Sequence, residues 1–294
     1  MGIILQHLVN GLAIGSVYAL IAVGYTLIYG TLRFINFAHG NILTIGVYAA
    51  FFSLLSFHLP FPLGLLIALA TAGLAAVLTE KIAYKPLRER EAPQLNLLIT
   101  SVGISLLIEN SIVVFFSADF HMFPQVIPVA PIALGAGANV APVELWIMGV
   151  AVTITGLLTY IVLGTKTGLA MRALSADREA SALQGVNTNS IISWAFLISG
   201  LMASTAGILV GIKFTVNPFL GSLFGTKAFI AAIIGGISSI PGAYLGGFLI
   251  GFLETFVAAY VSTNYRDVFG FGILILMLLV RPWGLLGRSL HEKV

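Results

Sequence analysis

The sequence predicts an all-α polytopic membrane protein, and three observations lead there. Only 9% of the 294 residues are charged and the mean hydropathy is +1.04, whereas a soluble chain carries about 25% charged residues. Apolar stretches of spanning length recur along the whole chain, and a crossing helix needs about 20 such residues. The runs are continuously apolar rather than alternating, which disfavours a membrane β-barrel. The net charge is +3 with a pI of 9.2. The basic residues behind it sit mostly in short connections, so they read as topology signals and imply no nucleic-acid partner. There is no cysteine, which excludes disulfides, thiol nucleophiles and thiolate metal sites. The first residues show neither a basic n-region nor a small-residue cleavage site, so no removable leader is expected.

In chain order, Gly11–Leu32 contains no Asp, Glu, Lys or Arg and gives the first span. Phe34–Thr79 also has none but is too long for one helix. Its His-Leu-Pro-Phe-Pro (58–62) divides it into spans near 40–57 and 62–80. Further spans fall near 94–117, 143–163 and 190–212. The run 228–260 is interrupted by Gly-Gly-Ile-Ser-Ser-Ile-Pro-Gly (235–242), which predicts two short or broken helices. The last span lies near 268–281. That makes eight or nine crossings within a single membrane domain, residues 1–294. Residues 80–91, 165–189, the tail from Arg281 and Arg33 hold eleven of the fourteen basic residues. The positive-inside bias therefore places these connections and the C-terminus in the cytoplasm. Nine crossings put the N-terminus outside; eight put it inside. No strong internal repeat is visible. The stretches 37–52 and 240–256 correspond weakly, each a glycine-containing break followed by a glycine-spaced apolar helix. Interrupted helices at matching positions mark substrate paths in repeat-built transporters.

Arg33–Ile42 (RFINFAHGNI) sets polar groups between two apolar runs. Non-helical backbone at membrane depth survives only where protein buries it or a cavity wets it. Asn36, His39 and Asn41, with Gly40 allowing a sharp turn, are expected at the cytoplasmic end of a path, either as a gate or as caps satisfying freed backbone groups. Glu109 and Asn110 fall inside an apolar span, where an ionisable group usually faces the bundle interior. They either contact a substrate ammonium or a partner subunit, or sit near the outer interface and face water. Gly235, Gly236 and Pro241 mark the second break. Glu254 is assigned to an interface, and Arg281-Pro282-Trp283 to membrane anchoring.

The longest cytoplasmic connection, 165–190, is amphipathic. Ala173, Ala176, Ala180 and Leu183 recur at helical spacing, while Arg172, Ser175, Asp177 and Arg178 are polar. Ser175 or Asp177 can cap a short helix with Glu179 in its first turn. Gly185 followed by Asn187 stops it. Such a helix either docks into a groove on another protein or lies on the membrane surface as a connector.

The stretch Glu-Ala-Ser-Ala-Leu-Gln-Gly (179–185) resembles the Glu-Ala-Ala-x-x-x-Gly loop of bacterial ABC importer permeases. In that family the loop is a coupling helix seated in a cleft of the ATPase. Ser181 replaces the second alanine and no Leu-Pro follows, a departure typical of the branch for branched-chain amino acids. Residues 10–30, 35–50, 173–187 and 233–254 are similar to that branch, and in particular to the shorter of its two permease subunits. The resemblance implies a type II importer fold with eight to ten transmembrane or broken helices in a bacterial inner membrane. It also implies a second permease subunit, favouring a heterodimer, two cytoplasmic ATPases and an extracytoplasmic substrate-binding protein. Arg172, Asp177, Arg178, Glu179, Ala180 and Gly185 would form the coupling loop. No G-x-x-x-x-G-K-[ST] phosphate loop is present; Gly-Thr-Lys-Thr-Gly (164–168) lacks the leading glycine spacing. No cofactor is therefore expected on this chain, and ATP–Mg would bind the partner ATPases.

Other classes fit less well. Asp119, Asp177 and Asp267 all fall in loops, and His-Glu-x-x-His and Gly-x-Ser-x-Gly are absent, which argues against an intramembrane enzyme and any metal site. A stand-alone secondary transporter or channel needs no ATPase-docking helix. Within the importer class, urea, short amides or other amino acids remain alternative substrates.

Overall fold

The computed structural model describes residues 2–128, 130–133 and 139–287. Twelve α-helices account for most of them: α1 (Gly2–Leu32), α2 (Ala38–Leu55), α3 (Phe61–Thr79), α4 (Lys85–Glu89), α5 (Gln94–Phe116), α6 (Pro142–Gly164), α7 (Lys166–Ala176), α8 (Arg178–Leu183), α9 (Thr188–Lys213), α10 (Leu220–Gly235), α11 (Ile240–Tyr260) and α12 (Arg266–Val280). A π-helical turn, Glu80–Tyr84, joins α3 to α4, and a 3₁₀ turn, Thr263–Tyr265, precedes α12. Four two-residue strands form two antiparallel ladders: β1 (His121–Met122) pairs with β4 (Thr215–Val216), and β2 (Ile132–Ala133) with β3 (Asn139–Val140). Eight helices are long and apolar enough to cross a membrane, and α10 is a shorter apolar helix of 16 residues. The expected spans appear as helices, most within a few residues; α1 and α10 begin earlier than expected, at Gly2 and Leu220, and α11, expected short or broken, is a continuous helix of 21 residues. Of the basic tail residues, Arg288 and Lys293 lie outside the described residues.

The chain clusters into two compact units. The first comprises Met1–Thr26, Ile127–Val152 and Lys227–Val294. Here glycines let helices meet backbone to backbone, the packing expected where hydrophobic transfer no longer drives association. A Cβ built on Gly15 would lie 2.8 Å from the Cα of Phe248, and one on Gly11 would lie 3.2 Å from that of Phe252. His7 packs edge-on against Tyr260, ring centres 5.8 Å apart. At the other end of α11, the N–H groups of Leu285 and Leu286 donate to the carbonyls of Ile234 and Gly235 at 2.8 and 2.9 Å. The 21 residues of α11, about 31 Å of helix, separate these two contacts. The N-terminal and C-terminal segments thus lie at opposite ends of this unit.

The second unit comprises Leu27–Val126 and Thr153–Thr226. Helices α2 and α9 form its core, flanked by α3 and α5. A Cβ on Gly46 would meet Ser204 Cα at 2.8 Å, and one on Gly200 would meet the Ala72 carbonyl at 2.8 Å. The outward surfaces of α3 and α5 stay apolar: Leu66 is 60% exposed and Phe115 79%. In water such a face would be a liability; at membrane depth it is the ordinary lipid-facing surface.

Candidate functional site: two helix breaks and the α7–α8 connection

The α1–α2 break is built from the Arg33–Ile42 stretch. Arg33 adopts a left-handed φ of 58°, ending α1, and its guanidinium donates to the Ser175 carbonyl. Asn36 Oδ1 accepts from Ala38 N–H at 3.1 Å and from the Tyr84 hydroxyl at 2.6 Å. Ser101 Oγ meets the break by accepting from Phe37 N–H at 3.2 Å; its own proton goes to the Leu98 carbonyl at 2.7 Å, with the Ile35 carbonyl further off at 3.2 Å. His39 Nδ1 shares a 3.0 Å hydrogen bond with Ser199 Oγ. Asn41 Nδ2 donates to the Ser105 carbonyl at 2.6 Å and to its hydroxyl at 2.8 Å. Asn36, His39 and Asn41 are all almost fully buried. Their contacts are those of a cap and of inter-helix ties, while Asn36 Nδ2 and Asn41 Oδ1 are buried without a hydrogen-bond partner among the described residues.

Gly40 faces α10 at a crossing where backbone meets backbone. A Cβ placed on Gly40 would strike the Gly221 carbonyl and lie 3.1 Å from Gly225 Cα. Conversely, a Cβ on Gly221 would strike Asn41 Oδ1 and lie 2.5 Å from both the Gly40 carbonyl and Thr44 Oγ1. Asn41 Oδ1 and Thr44 Oγ1 have no N–H or O–H partner among the described residues. The Gly221 Cα–H is the group that meets them, a weak donor suited to this geometry.

Beside this crossing the surface turns polar. Glu109 lies about 22 Å along α5 from Gln94 and is half-buried. Its carboxylate accepts from the Ser222 hydroxyl of α10. Asn110 is exposed, and its Nδ2 turns back to the Leu106 carbonyl at 2.8 Å. Thr226, one turn beyond Ser222, is exposed as well. Glu109 and Ser222 thus meet between α5 and α10, with the exposed Asn110 and Thr226 near them along their own helices. Sequence reading finds Glu109 and Asn110 and misses Ser222 and Thr226. Hydroxyls spaced i, i+4 within an otherwise apolar helix are the available signal.

The second break belongs to the other unit. Helix α10 ends at Gly235, and Gly236 turns the chain with φ 107°. Ser239 Oγ caps α11 by accepting from Gly242 N–H at 3.2 Å, with Pro241 in the first turn. A Cβ on Gly235 would lie 2.8 Å from Ala243 N, and one on Gly246 would lie 2.9 Å from Gly235 N. The α10–α11 hairpin is thus closed by backbone contact.

The 165–190 connection folds as two helices where the sequence suggests one. Thr165 Oγ1 caps α7 through Gly168 N–H at 3.1 Å. Asp177 ends α7 and caps α8, its Oδ1 accepting from Ala180 N–H at 2.9 Å. Gly185 adopts φ 83°. Val186 and Gly185 N–H donate to the Ser181 and Ala182 carbonyls at 3.1 and 3.0 Å, a glycine-terminated helix stop. The inward residues are Met171, Leu174 and Ser181. Arg172, Arg178, Glu179 and Ala180 are exposed, and Leu183 is 90% exposed. Partial burial, and after it the nearby Arg88 charge, lowers the Arg178 guanidinium from its ordinary value. The expected apolar stripe therefore divides between two helices, and three of its members, Ala176, Ala180 and Leu183, are exposed.

Among the described residues no group of three or more His, Cys, Asp or Glu side chains could hold a metal ion. Residues 7–278 match the family described as the permease component of branched-chain amino acid transport systems. The chain is 39% identical to the high-affinity branched-chain amino acid transport system permease BraD of Pseudomonas aeruginosa, over 99% of this chain and 98% of that protein. It is 36% identical to the LivH permeases of Salmonella typhimurium and Escherichia coli K12, over 99% of this chain and 97% of each. These relatives are transport permeases rather than enzymes, and the chain is a multi-pass membrane protein of the same kind. The chain belongs to the family of permease components of branched-chain amino acid transport systems.

Proposed function

We propose that this chain is one of two permease subunits of an ATP-driven importer that carries branched-chain aliphatic amino acids across the inner membrane of a bacterial cell. The observation that carries the reading is the α7–α8 segment. It is capped at both helix starts, stopped by Gly185, and presents Glu179, Ala180 and Leu183 outward. A rigid short helix with an exposed leucine fits a groove on a soluble partner. That partner is a pair of cytoplasmic ATPases, which supply the phosphate loop and the bound ATP–Mg; this chain binds no cofactor. A substrate-binding protein delivers the amino acid from outside.

Glu109, Asn110, Ser222 and Thr226 form this chain's share of the path, completed by the second permease in a heterodimer. Polar side chains exposed at membrane depth are costly against lipid and are normally covered by protein or water. Asn36, His39, Gly40 and Asn41 act as a pivot at the cytoplasmic end. Gly235, Gly236 and Pro241 hold the second broken turn. Specificity for aliphatic side chains rests chiefly with the binding protein, and the path provides passage.

The absence of native cysteine gives a clean test. Leu183→Cys, co-expressed with its partner ATPases, is expected to form a short cross-link to an ATPase subunit, whereas Trp146→Cys on α6 is not. Failure of Leu183→Cys to cross-link in an assembled complex would remove the docking assignment.

A further inference from the structure

A cavity of about 300 Å³ opens where the π-helical turn and α4 meet the start of α9, lined by Lys81, Lys85, Asn187, Asn189, Ser190 and Ser193. We infer that it holds the phosphate of an anionic phospholipid from the cytoplasmic leaflet. The π-helical turn sorts the side chains of this stretch. Glu80, Tyr84 and Arg88 point inward and are buried. Lys81 and Lys85, each the next residue along from Glu80 and Tyr84, fall one turn apart on the cavity side. Mid-helix π-turns of this kind commonly sit at functional sites.

The charges around the cavity leave it basic. The buried Glu80 carboxylate is neutralised by Arg88 at 2.9 Å and takes a 2.9 Å hydrogen bond from Ser193. Arg88 also donates to Asn189 Oδ1 at 2.7 Å. Glu89 is an exposed partner of Lys85 at 3.7 Å, a pair too solvated to hold the ammonium firmly. Two ammonium groups and a set of amide and hydroxyl groups thus converge on one pocket between two spanning helices. The positive-inside bias puts that pocket at the cytoplasmic membrane surface. Basic pockets between spanning helices on this side suit lipid phosphates. A headgroup seated there would brace α4 against α9, the helix that follows the coupling segment.

The test uses the full chain in nanodiscs and does not depend on the transport assignment. The protein has three tryptophans, and Trp194 adjoins Ser193 and is half exposed. In a Trp146→Phe/Trp283→Phe background, Trp194 fluorescence reports acyl-brominated lipid beside the cavity. Brominated phosphatidylglycerol should quench at lower mole fraction than brominated phosphatidylcholine, by about fivefold per lysine engaged. Lys81→Gln/Lys85→Gln should erase the difference, Lys81→Arg/Lys85→Arg should keep it, and high salt should shrink it. Equal quenching by the two lipids in the parent protein would overturn the inference. So would a preference that survives the double glutamine variant. Full reversal by inorganic phosphate would assign the pocket to a soluble anion instead, and loss of the preference once the ATPases are bound would assign it to the protein partner.

Discussion

The ammonium of Lys227 on α10 lies 2.8 Å from the Glu254 carboxylate on α11 and 3.1 Å from Asp267 at the start of α12. Glu254 also accepts from the Tyr18 hydroxyl of α1 at 2.7 Å. Three helices of one unit are thereby tied at a single buried carboxylate, whose side chain is only 5% exposed, and Lys227 links α12 to them through Asp267. Removing one partner of such a pair strands the other charge and costs about 3–5 kcal/mol. Lys227→Met is accordingly expected to lower the thermal stability of the purified protein sharply. Lys227→Met with Glu254→Met should recover much of the loss, because the carboxylate that remains, Asp267, is 61% exposed and solvated rather than buried. Unfolding monitored by size-exclusion fluorescence would read both.

The Gly40–Gly221 crossing makes a second, local expectation. At Gly40 the obstructing atoms belong to backbone, which cannot step aside as a flexible side chain would. Gly40→Ala should therefore force α2 and α10 apart, at about 1–3 kcal/mol, and depress uptake further than it depresses membrane insertion. Gly156→Ala on α6, where nothing lies within 4 Å, should leave uptake unchanged. Normal uptake by Gly40→Ala would reduce the crossing to ordinary packing.

Water should reach the face shared by α5 and α10. Single cysteines at Ser222 and Thr226 are expected to react with membrane-impermeant thiol reagents in assembled transporter. A cysteine at Val114, 78% exposed on α5 within the apolar band, should stay unreactive. Equal labelling of all three, or of none, would separate this face from the path.

On the α7–α8 connection two substitutions should behave differently. Asp177→Ala removes the cap of α8, worth about 1 kcal/mol, and should weaken ATPase docking without abolishing it. Glu179→Arg reverses the exposed charge and should uncouple ATP hydrolysis from uptake while the protein remains folded in the membrane. The ratio of substrate moved to ATP hydrolysed measures both.

The spans are legible because each is a long, apolar run with few charges, and the membrane constraint turns such runs into helices. The cap at Asp177 and the stop at Gly185 are legible because capping is local. What escapes the sequence depends on partners far along the chain. The tie between His39 and Ser199 crosses 160 residues, and that between Tyr18 and Glu254 crosses 236, so no window reveals them. The π-helical turn escapes for a related reason: it serves to place Glu80, Tyr84 and Arg88 inward together, against neighbours the local sequence does not name. A 3.6-residue periodicity carried through Asp177 puts Leu183 on a shared apolar stripe. The chain instead stops and restarts there, which turns α8 to a new direction.

The most direct measurement is ATP-dependent uptake of labelled leucine into proteoliposomes holding this chain with the second permease, the ATPases and the binding protein. Unlabelled isoleucine, valine and urea serve as competitors. For an ATP-driven importer of branched-chain amino acids, uptake should depend on ATP, be competed by valine and isoleucine, and be untouched by urea. Leucine flux through this chain alone, without ATP or the ATPases, would contradict it.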